Sequence, residues 1–262
     1  MKQIKANRQA RKDRAEQDQQ HQSPKPHADK SLYKSFQRYA PLTAKQSLAE
    51  KHYNSKEQNI TALVGSAGTG KTAWGLNLAY RDLVAGDCER VLFIRNAVSS
   101  REIGHLPGNE TDKDGPYMCN VKSMTNEMFQ RGDAYEILSN PKNGILKAGC
   151  ATFMQGVTWD NCRVIVDEVE NLNWQELYML TTRMGKNCKL IICGDTQQTF
   201  LNGKHDYSQL PEYISVLEIM PSAEIVTFVT SDIVRSDIVK EFIESIEKLS
   251  QMVDRDPEYM DD

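Results

Sequence analysis

Residues 65–72 read GSAGTGKT, and this stretch constrains the fold more than any other feature of the chain. Gly65, Gly70, Lys71 and Thr72 match the pattern G-x-x-x-x-G-K-[ST] without a gap. A chain of this length would contain such a match by chance about one time in a hundred. The pattern predicts a loop that curls around a phosphate and opens a helix, whose first N–H groups are available as donors.

The sequence on both sides of this loop fits that prediction. An apolar run, 60–64, precedes it, and a helix is predicted after it, with Leu76, Ala79 and Leu83 on one face and Gly86 as the stop. Apolar runs then alternate with helical segments, which indicates an α/β fold, a mostly parallel sheet with helices on both faces. Strands are predicted at 60–64, 91–94, 163–166, 190–193 and 225–229.

The last predicted helix carries a regular apolar stripe. Ile238, Phe242, Ile246 and Leu249 follow one another at spacings of four, four and three residues. These spacings place the four side chains on one helical face. We expect this face to pack into the core rather than to contact a partner.

The residues of the glycine-rich loop suit a nucleoside triphosphate. Lys71 supplies a positive charge for the β- and γ-phosphates, and Thr72 supplies a hydroxyl for Mg²⁺. We expect the nucleotide to contact Gly65, Ser66, Ala67, Gly68, Thr69, Gly70, Lys71 and Thr72.

Two acidic residues end the third predicted strand, in CRVIVDEVEN. The carboxyl ends of strands in an open α/β sheet border the ligand crevice, so Asp167 and Glu168 are expected near the phosphates. Asp167 is then a candidate for holding Mg²⁺, and Glu168 is a candidate general base for the attacking water. An acidic pair after a strand can also be a helix N-cap, but the upstream loop favours the catalytic interpretation.

A third polar element follows the next strand, in LIICGDTQQ. The amides of Gln197 and Gln198 can hydrogen-bond both a γ-phosphate oxygen and the attacking water. A simple polar turn is the alternative.

The charge distribution separates a basic arm from an acidic body. Residues 1–45 carry 11 Lys and Arg against 4 Asp and Glu, whereas the remaining residues carry 21 against 32. We interpret 1–40 as a disordered or helical arm, 41–250 as one domain and 251–262 as an acidic tail. The arm is a candidate for contacting RNA or single-stranded DNA, although such charge runs often only interact with solvent.

Several protein classes are disfavoured by the composition. No apolar run approaches the length of about 20 residues that crosses a bilayer, and no apolar segment follows the basic N-terminus as in a secretory signal. The six cysteines contain no C-x-x-C pair, which is typical of reduced thiols rather than metal ligands. We therefore expect a cytoplasmic protein.

Together these motifs resemble the PhoH-like (phosphate-starvation-inducible) family of P-loop ATPases, which is similar to the first RecA-like core of superfamily 1 helicases. The resemblance covers roughly residues 41–245. Besides the loop, it rests on PLTAKQ (41–46), RNAV (95–98), GHLPG (104–108), TFMQG (152–156), VIVDEVEN (164–171), LTTRMG (180–185), GDTQQ (194–198) and DIVRS (232–236).

The resemblance implies a single RecA-like P-loop domain that binds ATP and Mg²⁺. It further implies that Gln46 reads the adenine edge, that Gln198 senses the γ-phosphate, and that Arg183 or Arg235 approaches it as a charge-stabilising arginine. The sequence departs from the family pattern at Glu170, where Gln is usual, at Asn96, where Pro is usual, and at Ser236, where His is common.

Three functions fit these observations. The first is an ATPase whose hydrolysis is coupled to RNA or DNA, and the second is an interaction module that ATP binding assembles. Small-molecule phosphoryl transfer ranks last, because the basic residues of the predicted insert 102–148 are scattered. One core alone lacks the facing arginine that a second core supplies, so we expect a homo-oligomer, with a hexamer favoured. The 59 residues before the first strand are too few for a nuclease domain, so no nuclease activity is expected.

Overall fold

The structure is a computed structural model, and it describes residues 30–95, 110–150, 158–195 and 209–255. Within these ranges the chain forms one α/β domain around a parallel sheet of six strands. The strands are β1 (Ile60–Gly65), β2 (Arg90–Arg95), β3 (Leu146–Gly149), β4 (Cys162–Asp167), β5 (Lys189–Gly194) and β6 (Ala223–Phe228).

The order of strands across the sheet is β3-β2-β4-β5-β1-β6. Each described pairing is parallel, so every strand presents its carboxyl end to the same edge of the sheet. The motif-bearing strands β1, β4 and β5 lie side by side in the middle. The predicted loop and acidic residues therefore meet at one edge.

Eight helices surround the sheet in the described ranges. They are α1 (Lys30–Lys34), α2 (Ala44–Asn54), α3 (Lys71–Ala85), α4 (Glu110–Met128), α5 (Ala134–Ser139), α6 (Trp174–Thr182), α7 (Leu210–Glu218) and α8 (Asp237–Arg255). Short 3-10 turns lie at Val169–Asn171 and Thr230–Asp232. No helix in these ranges is both long and apolar enough to cross a bilayer.

Alternate residues of the strands belong to two separate hydrophobic cores, one on each face of the sheet. Leu63 of β1 packs with α3 residues such as Leu76 and Leu83, whereas Ala62 and Val64 pack on the other face with α6 and α7. Strands buried on both faces read as continuous apolar runs, which explains why the sequence indicated them. All five predicted strands, the loop and the helix after it, which ends at Gly86, are confirmed.

Strand β3 is absent from the sequence-based prediction. It is only four residues long, LKAG, and its second residue, Lys147, is exposed. A strand that short at the edge of a sheet has no recognisable apolar period.

The prediction that the apolar stripe of the last helix packs into the core is wrong. Helix α8 forms where expected, but Ile238 and Phe242 are 70% and 65% exposed, and Ile246 and Leu249 are about half exposed. The helix packs mainly against the turn Thr230–Asp232. Periodicity shows which face of a helix is apolar, but it does not show whether another element covers that face.

The packed domain also extends further toward the N-terminus than residue 41. Leu32 is fully buried, and Tyr33, Phe36 and Tyr39 pack against the same core. The boundary of the basic arm therefore lies before residue 31. Residues 1–29 of the arm and 256–262 of the acidic tail lie outside the described residues.

Candidate functional site

The glycine-rich loop leaves β1 at a very close approach to β6. Gly65 has φ +119°, and a Cβ atom there would lie 1.9 Å from the carbonyl oxygen of Phe228. Gly70, at the N-cap of α3, has φ +78°, a conformation that side chains other than glycine rarely adopt. These two positions give the backbone the curvature that a phosphate-binding loop requires.

Lys71 is held by the loop itself. Its Nζ donates to the carbonyl oxygens of Gly65 and Ser66 at 2.6 and 2.8 Å. Burial lowers the pKa of Lys71, and the negative charge of Asp195 is the first of the groups that oppose this shift. The ammonium therefore sits where it could exchange carbonyl oxygens for phosphate oxygens.

Thr72 and Asp167 are joined across the site. The Thr72 hydroxyl donates to Oδ1 of Asp167 at 2.7 Å, and Asp167 is 6% exposed. Burial raises the pKa of the Asp167 carboxyl, while the Thr72 hydrogen bond and the charge of Arg95 lower it. A hydroxyl and a carboxylate in contact form an oxygen donor pair of the kind that Mg²⁺ prefers.

Glu168 has an unusual backbone conformation. Its φ is +51°, in the left-handed region that residues other than glycine rarely enter. Its carboxylate accepts a hydrogen bond from Nη2 of Arg95, the last residue of β2. This left-handed turn ends β4 and directs the side chain toward the neighbouring strand.

Glu170 links the ends of β4 and β5. Its Oε2 accepts the backbone N–H of Asp195 at 3.0 Å, and the residue is 5% exposed. The pKa of Glu170 is raised to about 7, chiefly by burial and also by the charges of Glu168 and Asp195, against the opposing effect of backbone N–H groups. Glu170 also interacts electrostatically with Lys71 across the pocket.

This raised pKa predicts a pH-dependent stability. The folded chain keeps a proton on Glu170 that the unfolded chain, near its ordinary pKa of 4.5, releases. The resulting stability is complete below that value and is lost as the pH rises through about 7. The free energy of unfolding of Glu170→Gln, measured relative to that of the wild-type chain, should therefore increase by about 2 kcal/mol when the pH is raised from about 5 to about 8.

Urea unfolding of both proteins at the two pH values measures this difference. The amide of Glu170→Gln keeps a carbonyl oxygen for the Asp195 N–H, so the change removes the titration and retains the shape. Glu212→Gln, at an exposed position of α7, is the matched control and should show no such difference. An equal effect of Glu170→Gln at both pH values would contradict the assignment.

The DIVRS segment packs on the outer side of the loop. The N–H of Val234 donates to the carbonyl oxygen of Gly68 at 3.1 Å, and Cγ of Arg235 lies 3.5 Å from where a Cβ of Gly68 would stand. Arg235 therefore borders the loop of its own chain.

Gln46 lies beside the loop, and both polar atoms of its side-chain amide are already hydrogen-bonded. Its Nε2 donates to the carbonyl oxygen of Thr69 at 3.3 Å, and its Oε1 accepts the N–H of Leu42 at 2.8 Å. The side chain is 4% exposed. The structure thus brings Gln46 to the glycine-rich loop, while its reading of adenine stays a prediction.

Arg183 lies at the opposite edge of the sheet. It is the C-cap of α6, and its carbonyl oxygen accepts the N–H of Trp159, which precedes β4. The length of β4, about 16 Å, separates that edge from Asp167. Gln197 and Gln198 lie outside the described residues, as do Asn96 and the motifs at 104–108 and 152–156.

A cavity of about 530 Å³ unites most of these groups. Of the predicted residues it is lined by Ala67, Gly68, Gly70, Lys71, Thr72, Asp167, Glu168 and Arg235. Gly65, Ser66 and Thr69 form the inner side of the loop behind this lining. Sequence reasoning assigned no role to Arg95 or to Asn120, Ser123 and Met124 of α4, which also line it.

Comparison with known proteins identifies relatives of this chain. The sequence model of a family described as PhoH-like protein matches residues 39–247. A PhoH-like protein of Synechocystis is 29% identical over 194 residues, which are 74% of this chain and 58% of that protein. Protein PhoH of Escherichia coli K12 is 28% identical over 201 residues, or 75% of this chain and 56% of that protein. The chain thus spans a little under three fifths of the length of these relatives.

A likeness to solved structures is weaker. The chain aligns with a protein described as "Structure of C. elegans PCH-2" over 70% of its own length and 40% of that chain, at 18% identity and a TM-score of 0.25. A TM-score that low supports no argument about function.

Proposed function

The chain belongs to the PhoH-like protein family, and from this premise we propose that it binds ATP with Mg²⁺ and hydrolyses it in the pocket described above. One observation carries the proposal. The Thr72 hydroxyl, at the start of the loop helix, contacts Asp167 at the end of β4 at 2.7 Å, with Lys71 and Glu168 next to them in sequence. The residues proposed to bind phosphate, to hold the metal and to act as the base therefore lie together at one edge of the sheet.

The loop and the helix after it bind the phosphates in this proposal. The N–H groups that open α3 donate to phosphate oxygens, and Lys71 exchanges its bonds to Gly65 and Ser66 for bonds to the β- and γ-phosphates. Thr72 and Asp167 would hold Mg²⁺, which supplies neutralising charge to the phosphates when it is bound. The curvature at Gly65 and Gly70 and the oxygen pair at 2.7 Å fit both groups.

Glu168 is the proposed general base. Its carboxylate would accept a proton from the water that attacks the γ-phosphate. A general base of this kind typically increases the reaction rate by a factor of about 10² to 10⁴. Arg235 would stabilise the charge that develops on the γ-phosphate, with Gln198 as the proposed sensor of that group and Gln46 as the contact to adenine. These roles extend the family resemblance to residues of this chain.

We further propose that hydrolysis is coupled to the binding or remodelling of RNA or single-stranded DNA in the cytoplasm. The support is the family's similarity to a helicase core together with the basic arm. ATP turnover with and without single-stranded RNA and DNA tests it, and we expect stimulation by at least one polymer. Equal turnover under all conditions would contradict the coupling.

A second candidate function is an ATP-dependent assembly module. The observation that favours it is the exposed apolar stripe of α8, a helix that begins at Asp237, two residues after Arg235 of the pocket lining. A homo-oligomer built through such a face, with a hexamer favoured, fits either function. ATP binding without polymer stimulation, accompanied by a change in oligomeric state, would favour this candidate.

Removal of the basic arm gives a separate prediction. Deleting residues 1–29 should weaken nucleic-acid binding and flatten its dependence on salt, because fewer phosphates are neutralised. The deletion ends before Leu32, which belongs to the core, so the fold should be retained.

Binding isotherms over a salt titration measure the effect. The matched control keeps the arm's length but replaces its Lys and Arg residues by Gln, and it should behave like the deletion. Affinity and salt slope that stay unchanged in both variants would show that the arm only interacts with solvent.

A further inference from the structure

Arg95 places its guanidinium group against both acidic residues at the end of β4. The β2–β4 ladder pairs Arg95 with Asp167, so the two side chains start from adjacent positions at the same edge. Nη2 of Arg95 donates to Oε1 of Glu168, and Nη1 lies 3.8 Å from Oδ2 of Asp167. Oδ1 of Asp167 is already engaged by Thr72. Thr72 and Arg95 thus contact different oxygens of Asp167, and Arg95 also binds Glu168.

The charges that line the pocket show why a cation is needed at this point. The lining includes four acidic residues, Asp167, Glu168, Glu170 and Asp195, of which Glu170 holds its proton up to about pH 7, and three cations, those of Lys71, Arg95 and Arg235. Lys71 donates to loop carbonyls, and Arg235 is exposed beside Gly68. Among the three, Arg95 is the one with described ion pairs to Asp167 and Glu168.

The hydrogen bonding of Arg95 differs from that of a structural arginine in the same fold. Arg163, which is 3% exposed, bonds Asp82 and the carbonyl oxygens of Cys162, Asn187 and Asp87. Nε of Arg95 is buried and has no hydrogen-bond partner in the described part of the chain. Its described hydrogen bond goes to Glu168, a residue of the site, so the requirements of the fold alone do not account for its placement.

We propose that Arg95 acts as an internal counter-ion, which pairs its guanidinium group with the carboxylates of Asp167 and Glu168 before nucleotide binds. When a metal ion is bound, the metal replaces Arg95 as the neutralising cation. The Asp167 carboxylate is buried, and a buried carboxylate without a cation is costly, so the folded pocket needs positive charge before any ligand arrives. The same charge keeps a free divalent cation out of the pocket through electrostatic repulsion.

This role makes Arg95 a positioning residue for the proposed base. While Glu168 accepts the hydrogen bond of Arg95, its carboxylate is directed toward β2. Once Arg95 releases it, Glu168 can accept a proton from water. This part rests on the proposed ATP hydrolysis, whereas the exclusion of free metal is a property of the nucleotide-free chain.

Titration with Mn²⁺ in the absence of nucleotide tests the proposal, because Mn²⁺ binds oxygen ligands like those of Mg²⁺ and is detected by electron paramagnetic resonance. Arg95→Gln should bind Mn²⁺ about tenfold or more tightly than the wild-type chain, since a nearby positive charge is removed. Arg81→Gln is the matched control, because Arg81 is 18% exposed against 17% for Arg95, is also ion-paired, and lies further along α3. It should bind Mn²⁺ like the wild-type chain.

Each outcome of this titration either supports or overturns the proposed role of Arg95. Equal Mn²⁺ affinity of a folded Arg95→Gln variant and the wild-type chain overturns the proposal. A variant that folds only when Mn²⁺ is added supports it, whereas one that stays unfolded at every Mn²⁺ concentration contradicts it, because metal should then replace the missing cation. A wild-type chain without ATP turnover would remove the proposed function and leave this titration interpretable.

Discussion

The Glu168→Gln variant is expected to bind ATP as tightly as the wild-type chain and to hydrolyse it about 10² to 10⁴ times more slowly. Glutamine has nearly the shape of glutamate but cannot take a proton from water. The loop, Lys71 and the contact between Thr72 and Asp167 are untouched by the change. Binding of a fluorescent ATP analogue and release of phosphate measure the two quantities separately.

Two further variants complete this experiment. Lys71→Ala removes the loop's positive charge and should lose both binding and turnover, so it distinguishes a phosphate-binding defect from a chemical one. Glu212→Gln, at an exposed position of α7, is the matched control for a Glu-to-Gln change and should behave like the wild-type chain. Turnover of Glu168→Gln at the wild-type rate would show that another group is the base.

Arg235→Ala is expected to lower ATP turnover by about 10³ to 10⁵, the range found for arginines that stabilise the γ-phosphate charge. Because Arg235 lines the pocket of its own chain, this loss should not be restored by mixing with Lys71→Ala subunits. Arg183 lies at the far edge of the sheet and could act only on the nucleotide of a neighbouring subunit. If it does so, mixing Arg183→Ala with Lys71→Ala subunits should restore part of the activity.

Light scattering coupled to size exclusion, with ATP and Mg²⁺ present, measures whether such a neighbour exists. An oligomer that accompanies restored activity would assign the trans role to Arg183. A monomer that hydrolyses ATP at the full rate would exclude that role and leave Arg235 as the arginine that acts within one chain. Full activity of Arg235→Ala in that monomer would contradict both assignments.

The sequence predicted the centre of the sheet and the loop because each is determined locally. Buried parallel strands need continuous apolar runs, and the turn at Gly70 needs a left-handed residue, so both leave a direct trace in the sequence. Asp167 and Glu168 could be placed because parallel strands end at one edge of the sheet. The short edge strand β3 carries too few residues to leave such a trace.

The features that the sequence did not predict depend on what lies opposite a residue. The exposure of Phe242 on α8 depends on the absence of a covering element in the described fold, which helical periodicity does not report. The role proposed for Arg95 depends on the β2–β4 register, since only that pairing sets it beside Asp167. The involvement of Gln46 with Thr69 likewise follows from tertiary packing between α2 and the loop.

Phosphate release from ATP, measured with Mg²⁺ and again with excess EDTA on the wild-type chain and on Glu168→Gln, shows whether Mg²⁺-dependent hydrolysis takes place in this pocket. We expect turnover that requires Mg²⁺ and is almost abolished in the variant, while ATP remains bound to both proteins. A wild-type chain that does not bind ATP, or a rate unaffected by EDTA or by Glu168→Gln, would contradict the claim that Mg²⁺-dependent ATP hydrolysis takes place at this edge of the sheet.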